Sequence, residues 1–387
     1  MNRKRYEYVL GVLMMVKNEE ESIRVSLESI KDYFDVVVIF DTGSTDKTVD
    51  VIKTMCDKNK QKLYLKEGVF VSFPESRNEA LLFAEEVSCE YLLMMDAGDE
   101  FRTMKSKKDL EMMFGSIPSH LEFDIGLIKQ QWLDDTSGKL SDHFDCRLVK
   151  NHRGIRYDVK YPVHEQVERA DELRSSNFGD NFYLYQDRVK YGGSTKKRYT
   201  RDIELLSKAD ANKRNLYFLA QSYMSVDDWK NGFKYNVLSY QCKGEKENTF
   251  GDEKFTLIRI AYCAMRYDMT STAVKYLLKV REEYDEVPVD VYVYLFDIYI
   301  KKREAEKLLE YVDELYDLKK PDIVTSSIRL VNHHFYDYLR YNLISVVCLM
   351  TKQKMSVGRK SIEKILMYNK PDDEHNYKLY LELMGRR

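Results

Sequence analysis

Val36-Val37-Val38-Ile39-Phe40, followed at once by Asp41-Thr42-Gly43-Ser44, is the stretch that decides the fold. Its apolar run is largely β-branched and no polar residue interrupts it, so it reads as a short strand buried on both faces. Val9 to Val16 has the same character and is closed by Lys17-Asn18-Glu19, as Tyr91-Leu92-Leu93-Met94-Met95 is closed by Asp96-Ala97-Gly98-Asp99-Glu100. Lys62 to Lys66 is a shorter candidate strand. Between these runs lie helical patterns. Ile23, Leu27 and Ile30 recur at helical spacing within Ser22 to Ile30, and Asp46 to Met55 continues in kind. Pro74-Glu75 suits a helix start, with Ala80, Leu81, Ala84 and Val87 as the buried stripe. Continuous apolar strands alternating with helices predict an α/β unit with a parallel sheet covered on both faces.

Farther along, from about 120 to 192, the predicted strands are shorter: Ile125 to Ile128, Cys146 to Val149 and Phe182 to Tyr185. After Lys196 the pattern is helical. Leu219-Ala220-Gln221-Ser222-Tyr223 resembles Ile260-Ala261-Tyr262-Cys263-Ala264, and Tyr299 with Leu309 reads as a third copy. The offsets, 41 residues from Tyr223 to Ala264 and 35 from Ala264 to Tyr299, lie near the roughly 34-residue period of tetratricopeptide repeats. Of 30 tyrosines, 23 follow residue 182, so the helical half is the aromatic one. The 387-residue length allows two or three domains, and this contrast selects two.

Charge excludes some classes. Lys and Arg number 62 against 64 Asp and Glu, a net charge of −2, which argues against a nucleic-acid binder. Six scattered cysteines without a CxxC pair form neither a disulfide framework nor a zinc ribbon, and fit a reducing compartment. The basic Asn2-Arg3-Lys4-Arg5 and the apolar run to Val16 are followed by Lys17-Asn18-Glu19-Glu20 rather than a small-residue cleavage site. No run approaches the roughly 20 apolar residues of a membrane span. The expectation is a cytoplasmic protein whose first apolar run is a buried strand.

In an open parallel sheet, ligands collect beyond the carboxyl ends of the strands. Lys17-Asn18-Glu19, Asp41 to Ser44 and Asp96 to Asp99 all fall at such ends and so converge on one edge. Asp96 and Asp99 there could share a hard divalent cation such as Mg²⁺ or Mn²⁺. Acidic residues and glycine also make ordinary strand-end turns, and Asp41 with Ser44 fits a strand-to-helix turn equally well.

As a set, Met15-Val16-Lys17-Asn18-Glu19-Glu20, the Asp41 to Thr48 segment, Ser76-Arg77-Asn78-Glu79-Ala80, Asp96-Ala97-Gly98-Asp99-Glu100 and Val163-His164-Glu165 resemble the family 2 glycosyltransferases, from Leu13 to about Val167. The nearest resemblance is to members that append tetratricopeptide-like helices, among them enzymes that glycosylate peptides. It implies a GT-A catalytic domain over 1–192, Rossmann-like with a mainly parallel sheet. An all-α, tetratricopeptide-like domain follows over 193–387 and shapes the acceptor site or mediates a homodimer. Implied too is transfer, with inversion, from a UDP-sugar to a glycan or peptide acceptor, dependent on Mn²⁺ or Mg²⁺. Val16, Lys17, Glu19 and Asp41 would contact the nucleotide, and Arg77 and Asn78 would lie near the diphosphate. Asp96 and Asp99 would bind the metal and sugar-diphosphate, with Glu100 in reserve. The family's acids commonly stand two apart; here Gly98 fills that position and Asp99 gives the three-apart form.

A general base must take the acceptor proton. Candidates are Glu165, His164 and Asp145; if His164 completes the metal shell, Glu165 is left as the base. A lone histidine is more often a packing residue, and Asp145 reads as structural. His333-His334 point apart on a helix, and Lys196-Lys197-Arg198 with Arg201 read as a solvated helix start. Val38 to Thr45 also looks like an aspartic-protease loop, but the next copy at Asp96 stands too close for a two-lobed enzyme. A helical scaffold with a degenerate transferase half is the alternative that predicts peptide binding without turnover.

Overall fold

β1 (Tyr8–Val16), β2 (Val36–Asp41), β3 (Lys62–Glu67) and β4 (Cys89–Met95) form the parallel centre of the sheet. Their side chains alternate between two cores. Val12, Met14, Val37, Ile39, Tyr91 and Leu93 enter one apolar cluster, with Ile23, Leu27 and Ile30 of α1 (Ser22–Ile30) and Val51 and Ile52 of α2 (Thr48–Lys58). Leu13, Val36, Val38, Phe40, Leu92 and Met94 enter the other, with Ala80, Leu81 and Ala84 of α3 (Phe73–Ala84). Double-sided burial is why these strands carry no polar alternation. Ser72 caps α3 by accepting from the Glu75 amide at 3.3 Å, and Pro74 occupies its first turn.

This computed structural model describes residues 6–117, 122–133, 140–169, 172–179, 181–191, 195–242, 253–320 and 334–385. Asn2 to Arg5 and His333 lie outside them. β5 (Asp99–Thr103), α4 (Lys107–Gly115), β6 (Ile125–Leu133), β7 (Leu140–Lys150), β8 (Ser175–Asn177) and β9 (Phe182–Asp187) complete the sheet. Its order is β3-β2-β1-β4-β7-β6-β9-β5, with β8 on β6. The first four strands are parallel, β7 joins β4 antiparallel, and β6 pairs antiparallel with β7 and parallel with β9. The Rossmann-like, mainly parallel sheet expected from the sequence is thus the one found, extended by a mixed half. β5 has no counterpart in the sequence expectations, because Asp99-Glu100-Phe101-Arg102-Thr103 has only one apolar residue and its partner strand β9 does not begin until Phe182.

The chain divides into two compact units, Met1–Asp227 and Asp228–Arg387. Helix begins earlier than that division, with α5 (Arg188–Tyr191), α6 (Thr195–Lys208) and α7 (Lys213–Ser225). Those helices belong to the first unit because Arg214 and Asn215 of α7 donate to the carbonyls of His164 and Lys160, at 2.6 and 2.9 Å.

The second unit is all-helical among the described residues. It comprises α8 (Trp229–Gln241), α9 (Glu253–Arg266), α10 (Thr270–Glu283), α11 (Val289–Lys301), α12 (Val312–Asp317), α13 (Arg340–Thr351), α14 (Met355–Ile365) and α15 (Pro371–Gly385). Its tyrosines bury rings and anchor hydroxyls. The Tyr380 hydroxyl donates to the Ser345 carbonyl at 2.6 Å, and Tyr338 reaches the fully buried Asp373 at 2.9 Å. No helix among the described residues is long and apolar enough to cross a membrane. All six cysteines are free thiols.

Candidate functional site

The carboxyl ends of β1 and β2 are stitched together. Val16 and Asp41 are paired in register, and the Val16 carbonyl accepts from both the amide and the hydroxyl of Thr42, at 2.9 and 3.1 Å. The Asn18 amide donates to Ser44 Oγ at 2.9 Å, its side-chain oxygen accepts from the Thr45 amide at 2.7 Å, and the Glu19 amide donates to Thr48 Oγ1 at 2.7 Å. Asp41 is buried, with Oδ2 accepting from the Gly43 and Ser44 amides and Oδ1 from the Ser44 hydroxyl. Gly43 takes φ +97°, which its lack of a Cβ permits. The Asp41 carboxylate therefore shapes the turn. Burial raises the pKa of Glu19, partly offset by its bond from Ser22. Lys17 is exposed, its ammonium 6.0 Å from the Phe70 ring centre.

Beyond β4, the Asp96–Asp99 turn is closed in both directions. The Asp99 amide donates to the Asp96 carbonyl at 3.1 Å, and the Asp96 amide donates to Asp99 Oδ2 at 2.9 Å. Ser26 of α1, fully buried, accepts from the Gly98 amide at 3.0 Å, and Ser29 accepts from the Phe101 amide at 3.0 Å. α1 thereby fixes the turn from below.

Two guanidiniums hold Asp96. Arg77 Nη2 lies 3.2 Å from Oδ1 and Arg147 Nη1 lies 3.0 Å from Oδ2. Arg77 Nε also donates to Glu165 Oε1 at 2.8 Å, and Arg147 Nε to Asp145 Oδ2 at 3.2 Å. Burial alone would raise the pKa of Asp96; Arg147 first and Arg77 second more than offset that and hold its carboxyl well below the usual range. Asp99 is only 2 % exposed, and burial, followed by the Asp96 charge, pushes it up to about 7.

Glu165 is presented by a tight reversal of the chain. Tyr157 bridges to Val167, the Asp158 amide donates to the Gln166 carbonyl at 2.8 Å, and the Glu168 amide to the Arg156 carbonyl at 2.8 Å. Asn78 ties this segment to α3: its Nδ2 donates to the Tyr157 carbonyl at 2.9 Å and its Oδ1 accepts from the Tyr157 amide at 2.7 Å. His164 has φ +53° and stacks on Phe218 of α7, ring centres 4.0 Å apart. That packing strips water from one ring face and lowers its pKa, although the residue keeps an exposed edge.

Residues 11–114 match the family model described as Glycosyl transferase family 2. The glycosyltransferase SunS of the SPbeta prophage in Bacillus subtilis is 24% identical over 221 residues, covering 55% of this chain and 49% of its own length. An uncharacterized glycosyltransferase of Methanocaldococcus jannaschii is 25% identical over 120 residues, covering 27% of this chain and 40% of its own. The chain thus spans about half the length, or less, of the curated relatives it matches. Among solved structures, S. aureus TarS 1–349 aligns with TM-score 0.41 and 15% identity, over 72% of this chain and 93% of that one.

Of the residues singled out in the sequence, the structure gathers Arg77, Asp96, Asp99, Asp145 and Glu165 into one ionic cluster. Glu100 turns away to Arg102 at 2.9 Å. Among the described residues, no three His, Cys, Asp or Glu side chains are gathered closely enough to hold a metal ion, so His164 does not join Asp96 and Asp99 in a ligand set. A carboxylate pair still suits Mg²⁺ or Mn²⁺, which takes one or two protein carboxylates and completes its shell with water and substrate phosphates. The raised pKa of Asp99 beside Asp96 marks a place where positive charge is stabilising.

Sequence reasoning missed Arg147, Ser26, Arg214 and Phe218. Arg147 lies on a strand in a run of polar residues, with no local sign that β7 pairs against β4. Ser26 could have been noticed as a polar residue on the apolar stripe of α1.

Proposed function

We propose that this chain transfers a sugar from a UDP-sugar to a hydroxyl, or other nucleophile, of a glycan or peptide acceptor, with inversion and with the help of Mn²⁺ or Mg²⁺. The observation that carries this is the ionic run from Glu165 through Arg77 to Asp96. It joins an acid presented by the 157–167 reversal to the acid at the end of β4, at the carboxyl edge of the sheet. The match of residues 11–114 to Glycosyl transferase family 2 supports the same conclusion.

In this proposal the edge formed by Val16, Lys17, Glu19 and Asp41 receives the nucleotide. Lys17 supplies positive potential there, while Asp41 keeps the loop in shape. Asp96 and Asp99 would hold the cation, which as a Lewis acid stabilises the departing diphosphate. Arg77 orients Glu165 through Nε, leaving its other oxygen for the acceptor. Glu165 takes the proton as the acceptor oxygen bonds to the anomeric carbon. The bond from that carbon to the β-phosphate oxygen breaks on the opposite face, and UDP leaves with the electron pair. Asn78 positions Glu165 through the Tyr157 backbone, and His164, seated on Phe218, supports the same turn.

The test is a thermal-shift panel of UDP-sugars with and without Mn²⁺, followed by UDP-release assays on those that bind. A donor that raises the melting temperature and is hydrolysed or transferred is the expected outcome. Absence of both UDP binding and UDP release across the panel sinks the proposal and leaves a peptide-binding scaffold.

A further inference from the structure

The ion pairs at the sheet edge form a chain in which Asp96 is the middle member: Glu165–Arg77–Asp96–Arg147–Asp145. Three carboxylates face two guanidiniums in it, and Asp99 stands beside the centre. Each arginine uses Nε on an outer acid and a terminal nitrogen on Asp96. Arg147 is further steadied by Gln130 Oε1 at 3.2 Å from its Nη2, and its side chain is only 12% exposed.

We propose that Arg147 is a positioning residue with two partners in turn. In the unliganded chain it holds Asp96; when Asp96 is given over to a divalent cation, the guanidinium pivots about Asp145 and meets the diphosphate of the incoming nucleotide. This rests on the transferase function proposed above. The physical argument begins with shared lone pairs. Both oxygens of Asp96 accept from guanidinium groups, so a cation and Arg147 compete for the same atoms. A displaced guanidinium that is nearly buried keeps Asp145 on its Nε but leaves Nη1 without an acceptor, and a buried charged donor without an acceptor is unfavourable. Phosphate oxygens match its planar fork as well as a carboxylate does. Asp145 and Gln130 keep Nε and Nη2 while Nη1 changes partner, so the exchange needs a small rotation and no backbone movement. Arg77 is less free to make it, since its Nε orients Glu165.

The consequence is a pair of opposite effects, which a merely structural arginine would not produce. In nucleotide-free protein, Arg147→Gln removes the competitor at Asp96, and Mn²⁺ binding, read by electron paramagnetic resonance, tightens several-fold. With Mn²⁺ saturating, the same substitution removes a charged partner of the diphosphate, and UDP binding, read by calorimetry, weakens by about tenfold or more. Arg147→Lys keeps the charge without the fork; for it, UDP binding weakens by roughly threefold or more while Mn²⁺ binding stays within about twofold. Weakening of both ligands together, or of neither, overturns the assignment. If Arg147→Gln does not fold, Arg147→Lys decides by its own criterion. The wild-type chain separates the two levels. Failure to bind UDP under any condition removes the transferase reading itself, whereas wild-type binding matched by both variants removes only the role of Arg147.

Discussion

Asp99→Asn should stabilise the protein, and more so as the pH rises. The Asp99 carboxyl is 2 % exposed and titrates near 7 rather than at the ordinary 3.8, because burial and the neighbouring Asp96 charge both disfavour its ionised form. The sign follows from which state loses its proton first. Below 3.8 the group is protonated in both states and costs nothing. As pH rises toward 7 the unfolded chain ionises while the folded one holds its proton, so folded stability falls, and the loss is complete above 7. At about 1.4 kcal/mol per tenfold change, the full cost is on the order of 4 kcal/mol. Roughly 1.5 kcal/mol of it is already present at pH 5, so the advantage of the variant widens by about 2–3 kcal/mol between pH 5 and pH 8. The replacing amide keeps an oxygen for the Asp96 N–H, so that bond is not what changes. In thermal melts with a chelator present, the gap in melting temperature should grow by about 5–10 °C from pH 5 to pH 8 for a unit of this size. An equal gap at both pH values would refute the assignment of a raised pKa to Asp99.

Two further outcomes follow from the same cluster. Glu165→Gln should retain UDP binding within about twofold and lose transfer by about 10²-fold or more in a UDP-release assay; near wild-type transfer would exclude Glu165 as the base. Asn78→Ala removes both bonds to the Tyr157 backbone and should lower stability by about 1–3 kcal/mol in denaturant unfolding. It should lower the rate of transfer more than donor affinity, because Glu165 loses its footing; equal losses in both would place Asn78 at the donor instead.

Much of the fold was legible because its signals are local. The apolar runs of β1, β2 and β4 and the helical spacing of Ile23, Leu27 and Ile30 are short-range patterns, and the structure keeps them as strands and a helix. Their parallel order follows from alternation with helices. β5 was not legible, since a strand with one apolar residue owes its conformation to β9 and to serines of α1. Residues near the charged centre divide in the same way. Asp96, Asp99, Arg77 and Glu165 stand in short motifs, whereas Arg147 enters only because β7 pairs with β4.

The sequence by itself determined the α/β class, the convergence of three polar segments on one sheet edge, and the all-helical, tyrosine-rich character of the second half. Only the tertiary structure decided what the polar side chains at that edge bond to. Asp41 is consumed by its own turn, Asn78 by the Tyr157 backbone, and Asp96 is shared between two arginines far from it in sequence. The reason is physical. Strand and helix formation reads neighbouring residues through steric and apolar periodicity, but the partner of a charge is whichever opposite charge the folded sheet brings within hydrogen-bonding distance.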